Sequence, residues 1–400
     1  MSVAATPDPC FPETDFAILP GKGESVPGFH AMLARLREER PVAPIRFHGQ
    51  PAWLLTRHAD VSAAFRDEQL FSARAIQEVN TFPVMGRNIM GMEGSEHRIN
   101  RALVSPHFKL RLMPEVVDEM VRPLCHALVD EFVADGQVNL VPRFNKRLPL
   151  TAICRILGIP PKDDARMGDW AMALISYPWD PAGALRASEQ FTLYLQGLLE
   201  ARRAQPEDDL LTSLCNQQTE GQRLSDEEIF SFVRMLFPAG ADTTFLALGS
   251  LLVGLLEKPG QMEDLRDDPE GQTAAVEEAL RWEPPTALLP RMTTEGGEFR
   301  GERLPPGTVV LLGIAPANRD PAVFPDPDRF DIGRKTSGHL GFGLGNHFCL
   351  GSHLARAELR VALSVLLERL EGLELQTPPI MEGAVMRGPN HLQIRFSARR

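Results

Sequence analysis

The sequence has 400 residues, of which 43% are hydrophobic and 24% are charged, and its net charge at pH 7 is −11. A chain of this length can bury one large core or two of ordinary size. The acidic balance argues against a general nucleic-acid binder and against adhesion to an anionic membrane surface. The five cysteines are widely spaced and form no C-x-x-C pair, which suits a reducing compartment and excludes a zinc ribbon.

The N-terminal segment, residues 1–9, has neither a basic start nor an apolar run. We therefore predict no signal peptide and no membrane anchor. We expect a soluble, cytoplasmic protein that acts as a monomer. Residues 1–30 are predicted to be irregular.

The first elements are predicted from periodicity. Helices are expected at 31–40 and 58–65, with a strand at 52–56 between them. From about 96 to 203 the pattern is mostly that of amphipathic helices, broken at Gly136 and at 177–183. A long apolar helix follows over about 226–257, and a shorter helix over 271–282.

After Pro284 the pattern changes to strands and turns, including 307–314 and 391–396. One helix, over about 350–372, is inserted there. The chain is therefore predicted to be mainly α, helix-rich over about 58–282 and 350–372, and β-rich near 40–57 and 284–400. No repeat or long polar linker interrupts it, which favours a single domain over residues 1–400.

The most informative segment is residues 342–351, FGLGNHFCLG, which presents one cysteine in a glycine-rich loop just before a predicted helix. Gly343, Gly345 and Gly351 allow the backbone to turn tightly and to approach a flat ligand closely. We expect Cys349 to lie among unpaired amide donors at the positive end of a helix dipole. That environment favours the thiolate over the thiol.

This loop resembles the haem-binding loop of the cytochromes P450. The resemblance implies a cytochrome P450 fold, with small β-sheets and a long central helix over haem b. It also implies that the Cys349 thiolate is the metal ligand of the iron, a ligand that favours cleavage of the O–O bond. The loop residues that match the family, and that we expect to bind the cofactor or shape its loop, are Phe342, Gly343, Gly345, His347, Cys349 and Gly351.

The long apolar helix contains an acid and two hydroxyls in AGADTT, residues 239–244. Burying Asp242 without a partner would be costly, so this group needs a partner or water. The resemblance implies that Asp242 and Thr243 are the catalytic proton-delivery pair and that Gly240 opens room over the haem. Pro238 cannot donate its backbone hydrogen bond and predicts a bend there.

The two haem propionates require cationic or hydrogen-bonding partners. His97 and Arg101 are four residues apart, so they share one face of a helix. The resemblance implies that these two, with Arg291 and His347, bind the propionates. It also matches Glu278-x-x-Arg281 to an ion pair of the family, which we interpret as structural and not catalytic.

Electrons are expected from external NAD(P)H through redox partners, because the chain has no Gly-rich nucleotide fingerprint and no cysteine set for an iron–sulfur cluster. We predict that a ferredoxin or flavodoxin, supplied by its reductase, docks on a basic cluster. That cluster consists of Arg98, Lys109, Arg111, His353, Arg356 and Arg360.

These features together predict a haem-thiolate monooxygenase that uses O2 and two electrons to hydroxylate or epoxidise a small, mostly hydrophobic substrate. The resemblance implies that segments 81–90, 236–239, 286–289 and 384–386 face the substrate pocket, and these segments are largely apolar. Arg74 or Arg87 is a candidate anchor for a carboxylate. Two alternatives stay open, a peroxide-driven peroxygenase and a non-catalytic haem sensor or carrier, and the Asp242–Thr243 pair argues against both.

Overall fold

The computed structural model describes residues 15–20, 23–160, 164–216, 218–219, 222–257 and 259–399. Cys10 and most of the predicted irregular segment before residue 23 lie outside these ranges. The described residues form two compact units. The first unit contains the described residues up to Ile76, Glu277–Phe348 and Ile380–Asn390, and the second contains Gln77–Val276, Cys349–Pro379 and His391 onward.

Helices dominate the described part of the chain. In chain order they are α1 (Phe29–Glu39), α2 (His58–Arg66), α3 (Ala73–Asn80), α4 (Phe82–Met85), α5 (Gly94–Val104), α6 (Met113–Val116), α7 (Arg122–Asp130), α8 (Arg147–Leu157), α9 (Asp164–Ile175), α10 (Pro181–Ala204), α11 (Leu210–Asn216), α12 (Asp226–Leu256), α13 (Pro259–Asp264), α14 (Pro269–Trp282), α15 (Ile314–Asn318) and α16 (Ser352–Arg369).

The strands are short and form small sheets. They are β1 (Val42–Phe47), β2 (Gln50–Leu55), β3 (Gln137–Asn139), β4 (Gln218–Thr219), β5 (Gln222–Arg223), β6 (Leu288–Met292), β7 (Gly297–Phe299), β8 (Glu302–Leu304), β9 (Val309–Gly313), β10 (Leu370–Leu375), β11 (Met381–Glu382), β12 (Gly388–Pro389) and β13 (Gln393–Ala398).

The predicted helix-rich fold with small sheets is confirmed. The long apolar helix, the helix after the cysteine loop and the two late strands are found within a few residues of their predicted bounds. The short strand β3 interrupts the region predicted as mostly helical, because it completes a sheet with β13, which lies far away in sequence. Sequence periodicity does not show such long-range pairing.

The first unit is built on a four-stranded sheet of order β1-β2-β9-β6. β1 and β2 form an antiparallel hairpin, β2 pairs with β9 in parallel, and β6 closes the other edge antiparallel to β9. Its core contains the buried side chains of Leu55, Phe71, Val310 and Leu340. α2 packs on β9 and on α15 in this unit.

A buried ion pair orders the segment that leads to the cysteine loop. Glu278 and Arg281 are both fully buried, and two hydrogen bonds of 2.7 Å join them. The remaining Arg281 donors bond the carbonyls of Asn318, Pro327 and Arg329. This geometry agrees with the structural interpretation of the pair.

The second unit is organised around α12. A capping box starts this helix, since Ser225 Oγ accepts from the Glu228 N–H and the Glu228 carboxylate accepts from the Ser225 N–H. By length and composition α12 could cross a membrane, but 78% of its apolar window is buried inside the protein. α8, α9 and α16 pack against it, so its apolar surface is core.

Glu358, on α16, is buried in the second unit with little polar compensation. Burial raises the pKa of this carboxyl from 4.5 to about 8. α16 packs against α7, where burial and then the charge of Glu358 raise the pKa of the Cys125 thiol. Because the buried core disfavours the ionised form of Glu358, the free energy of unfolding of the protein depends on pH.

We expect Glu358→Gln to remove part of this dependence. Between pH 4.5 and about 8 the unfolded chain ionises Glu358 while the folded protein keeps it protonated, so the parent loses stability as pH rises and levels off above 8. The glutamine variant should gain up to a few kcal/mol over the parent across that window. Denaturant midpoints measured from pH 4 to 9 check this, with Glu368→Gln, an exposed position on the same helix, as control. Parallel profiles for parent and Glu358→Gln would contradict it.

Candidate active site

Cys349 lies just before α16, beside one backbone donor and within electrostatic reach of two arginines. The Gly351 N–H bonds to the thiol, and Arg101 and Arg356 are close enough to act on it electrostatically. Burial nevertheless outweighs these groups and raises the pKa of Cys349. The amide donor and the two arginines favour the thiolate as expected, whereas desolvation opposes the charge. A bound metal ion reverses this balance, since a coordinating thiol loses its proton outright.

Only some of the loop glycines are required by backbone geometry. Gly343 and Gly345 have φ of 70° and 77°, a conformation that side chains disfavour. Gly351 has φ of −84°, which any residue adopts, and apart from its chain neighbours no atom of the described residues lies within 4 Å of the position its Cβ would take. Open space at this position is what a flat ligand close to the backbone needs.

α5 brings a histidine and an arginine to the cysteine. Burial lowers the pKa of Arg101, and the neighbouring Cys349 raises it. His97 is one turn earlier on the same face, where burial and then the charge of Arg101 lower its pKa. His97, Arg101, Arg356 and Cys349 all belong to the second unit.

The other predicted cofactor residues belong to the first unit. Arg291 is buried on β6. The Phe342 ring lies 6.3 Å from that of His339, and Gly343 follows it in a tight turn. His347 lies 3.8 Å from the Glu68 carboxylate. Their roles toward a cofactor stay predictions.

The middle of α12 has one open face, although the helix is buried on both sides of it after an exposed first turn. Ala239 is exposed, and Gly240 and Thr243 are partly exposed, whereas Pro238 and Ala241 are buried. The Thr243 hydroxyl donates to the Ala239 carbonyl at 3.0 Å, which is the usual resting bond of a helical threonine. An exposed hydroxyl one turn from an exposed alanine provides room and polarity for a ligand at this point.

Gly240 has a different role from the one predicted. A Cβ at this position would lie 2.7 Å from Cγ1 of Ile153 on α8. The glycine therefore allows α8 to pack closely on α12, and the expectation that it opens room for the cofactor is wrong. Ala239 and Thr243 form the open face instead.

Asp242 points into the protein. It is 5% exposed, and its Oδ2 has no hydrogen-bond partner among the described residues. Burial raises the pKa of this carboxyl to about 7, although the charge of Lys146 lowers it. A group with this pKa exchanges protons readily at neutral pH. Sequence reasoning did not identify Lys146, because a lysine before an amphipathic helix carries no distinguishing pattern.

The basic cluster lies on the second unit. Arg98, Lys109 and Arg111 are exposed, and His353, Arg356 and Arg360 are partly exposed. Between two of them stands Leu110, whose side chain is 64% exposed. Exposed cations such as Lys109 and Arg111 on either side of an exposed apolar residue in the chain are typical of a surface that binds a partner.

Arg87 is engaged in an ion pair. Its guanidinium donates to both carboxylate oxygens of Glu96, at 2.5 and 2.7 Å. Such a bidentate pair leaves little positive charge for a substrate carboxylate. The structure thus disfavours Arg87 as the anchor considered above.

The residues of the second unit fit the group that the cysteine loop predicts. Cys349 offers one sulfur ligand with an amide donor and two cations near it, which stabilise a thiolate once a metal replaces the proton. The place of the missing Gly351 Cβ is open beyond its chain neighbours, and α5 supplies the Arg101 cation near Cys349, with His97 one turn before it. We infer that a haem with one protein sulfur ligand is compatible with this site.

Comparisons with known proteins extend the similarity far beyond the loop. A family model described as Cytochrome P450 matches residues 272–396. The mycinamicin IV hydroxylase/epoxidase of Micromonospora griseorubida is 37% identical over 371 residues, covering 90% of this chain and 93% of that protein. The vitamin D(3) 25-hydroxylase of Pseudonocardia autotrophica is 37% identical over 349 residues, covering 84% and 85%. A solved structure of a mutant of P450 EryK in complex with erythromycin B matches with a TM-score of 0.83 and 34% identity, covering 94% of this chain and 97% of that one.

Proposed function

Because the chain belongs to the cytochrome P450 family and is a monooxygenase, we propose that Cys349 ligates haem b and that Asp242 and Thr243 deliver protons during turnover. The observation that carries this proposal is Cys349 with its amide donor and two arginines. When bound, haem supplies the redox chemistry that activates O2 and transfers one oxygen atom to an organic substrate. The protein supplies the ligand, the charges and the protons.

His97 and Arg101 orient the cofactor through its acidic groups. Burial lowers the pKa of both side chains, so each gains from an anionic partner that compensates for lost solvent. Arg291 and His347 are assigned to the same role by resemblance alone. Phe342, Gly343 and Gly351 shape the loop around the ligand sulfur.

Asp242 and Thr243 move protons on the other side of the site. The Asp242 carboxyl, with a pKa of about 7, accepts and releases a proton near neutral pH. The Thr243 hydroxyl is exposed to the open face of α12 and gives up its bond to Ala239 when a better acceptor arrives. These two groups connect the protein interior to the reacting oxygen.

The proton-delivery pair argues against the two alternative functions. A peroxygenase receives its oxygen already reduced, and a haem sensor or carrier reduces no oxygen. Neither function explains why a helix would maintain a buried acid beside an exposed hydroxyl at a cost in stability. The site therefore supports the monooxygenase function over both alternatives.

The substrate is inferred to be hydrophobic and uncharged. The relatives are a hydroxylase/epoxidase of mycinamicin IV and a 25-hydroxylase of vitamin D(3). In this chain the pocket segments are largely apolar, and Arg87 is bound to Glu96. Affinity then comes mostly from buried apolar area, and the reaction is a hydroxylation or epoxidation.

Electrons are inferred to come from NAD(P)H through a reductase and a ferredoxin or flavodoxin. These carriers present acidic surfaces, and the basic cluster around Leu110 has the complementary charge on an acidic protein. Such a system operates in the cytoplasm, which remains our prediction for this chain. Binding of one carrier at a time requires no second copy of the chain, consistent with the predicted monomer.

The ligand assignment is tested by the absorption spectrum of the dithionite-reduced protein with carbon monoxide. We expect the strongly red-shifted band of thiolate ligation in the parent and its loss in Cys349→Ser, because a serine oxygen is a poor electron donor to iron. Cys215→Ser is the matched control, since Cys215 is partly exposed and lies outside the loop. A red-shifted band that survives in Cys349→Ser would reject the assignment.

The proton-delivery pair is tested by the product formed per NAD(P)H consumed. The substrate is a compound that shifts the absorption spectrum of the protein when it binds, and vitamin D(3) and erythromycin B are tried first. With this substrate, Thr243→Ala should lower the product yield about tenfold and release hydrogen peroxide instead. Asp242→Asn should slow turnover to a similar degree while haem content stays unchanged. Thr244→Ala, a buried hydroxyl on the same helix, is the control. Parental yield in Thr243→Ala would remove Thr243 from the mechanism.

The docking surface is tested by the ionic-strength dependence of reduction. We expect the rate of electron transfer from ferredoxin to fall as salt rises from 0.05 to about 0.5 M, because screening shortens the reach of the basic cluster. Arg98→Gln combined with Arg111→Gln should lower the low-salt rate and flatten the dependence. Arg395→Gln, an exposed arginine paired with Glu374, serves as the control. A rate that is insensitive to salt in the parent would exclude charge-guided docking.

A further inference from the structure

Protons must reach Asp242 through the protein. The carboxyl is 5% exposed, and its neighbours along α12, Ala241, Thr244 and Phe245, are buried as well. Its Oδ2 has no hydrogen-bond partner among the described residues. A buried acid that gives up protons repeatedly has to be resupplied from solvent by a defined path.

Lys146 connects this face of α12 with solvent. The residue is exposed, yet its Nζ lies 5.4 Å from the centroid of the Phe245 ring. Phe245 is three residues after Asp242, so the two side chains are neighbours on the helix surface. Lys146 is also the charged group that acts on Asp242. Lys146 is thus a solvent-exposed residue whose charge reaches the Asp242 carboxyl.

Asn145, the residue before Lys146, is buried in an unusual turn. It is 0% exposed, and neither its Oδ1 nor its Nδ2 has a partner among the described residues. The turn Val141–Asn145 is a single π turn, closed by the Lys146 N–H on the Val141 carbonyl at 3.0 Å, and it packs against α12. Single π turns often occur at functional sites. A fully buried amide that the protein leaves unbonded is satisfied by internal water.

We propose that Lys146 and Asn145 form the solvent entrance of the proton path to Asp242, with internal water held by the Asn145 amide as the link. The proposal rests on the proton-delivery role of Asp242 given above. One proton enters the water path from bulk solvent near Lys146, and one proton passes from the water nearest Asp242 to its carboxylate. The path itself therefore gains no net charge. The amide donates and accepts one bond each, which orients the water. Both residues are positioning residues, since neither touches substrate or cofactor.

The entrance is tested first without turnover. In the haem-loaded protein, infrared difference spectroscopy follows hydrogen–deuterium exchange at the Asp242 carboxyl, whose band is assigned by its loss in Asp242→Asn. We expect this exchange to be about tenfold slower in Asn145→Leu and in Lys146→Gln. Lys146→Arg, which retains the charge, should exchange like the parent. Because Lys146 is exposed, its variants keep the test valid even if Asn145→Leu fails to fold.

Ser250→Ala is the matched control. Ser250 is on the same helix, is also 0% exposed, and its Oγ also has no partner among the described residues. It lies eight residues beyond Asp242, about 12 Å along the helix axis. Removing this hydroxyl should leave exchange at Asp242 unchanged, and a slowdown as large as that in Asn145→Leu would show a general effect of core substitutions and overturn the proposal.

Turnover measurements distinguish the proposed proton entrance from the proton-delivery role of Asp242 on which it rests. With reconstituted redox partners, Lys146→Gln and Asn145→Leu should slow turnover, raise the solvent isotope effect, and add nothing further in the Asp242→Asn background. If Asp242→Asn slows turnover but both variants behave like the parent, the entrance is elsewhere and the role of Asp242 stands. If Asp242→Asn itself turns over like the parent, the role of Asp242 and this entrance are both rejected.

Discussion

The hydrogen bonds of Arg281 are the constraint on which the cysteine loop depends. Its guanidinium is fully buried, and all five donors have acceptors: both oxygens of Glu278 and the carbonyls of Asn318, Pro327 and Arg329. A buried cation is tolerated only when its donors are satisfied in this way. The arginine therefore holds a long irregular segment that has little regular structure of its own.

The same network continues toward the loop. Asn318, whose carbonyl accepts from Arg281, also uses its side-chain oxygen to accept from the Leu340 N–H at 2.7 Å. The Asp331 N–H donates to the Glu278 carboxylate at 2.8 Å. Gly341 follows, where a Cβ would lie 2.7 Å from the Leu280 carbonyl. One ion pair on α14 thus positions the chain up to the residue before the FGLGNHFCLG segment. A ligand loop requires such support because its geometry must be preset before a cofactor binds.

Burial raises the pKa of Cys349, Asp242 and Glu358 in the second unit, and the neighbours of each group decide the chemical outcome. Near Cys349, an amide donor and two arginines lower the pKa that burial raises, and near Asp242 the positive charge of Lys146 does so. The pKa of Glu358 is raised by burial alone. Glu283, in the first unit, shows the opposite result. Although burial raises its pKa, His30, Arg387 and Arg319 together hold it at about 2. The hydrogen-bonded His30 and two arginines together therefore outweigh desolvation, whereas a single lysine does not.

α12 combines two demands that conflict. Most of its side chains are apolar and buried, so it serves as the core of the second unit. Within two turns, however, it carries Pro238, Asp242 and Thr243, each of which costs helix stability or core packing. Such local violations of the folding pattern are expected where function requires them. The capping box at Ser225 and the close packing of Ile153 on Gly240 offset part of that cost.

The sequence by itself determined the mainly α fold, the long central helix and the cysteine loop, because periodicity, turn residues and the FGLGNHFCLG spacing are local features of the chain. It also singled out Asp242, since a carboxylate in an apolar helix is visible without coordinates. Only the tertiary structure decided that Gly240 serves packing, that Arg87 is engaged by Glu96, and that Lys146 acts on Asp242. It likewise decided that burial raises the pKa of Cys349 against the effect of its amide donor and arginines. These outcomes depend on desolvation and on contacts between residues far apart in the chain, and neither quantity is encoded in a local pattern.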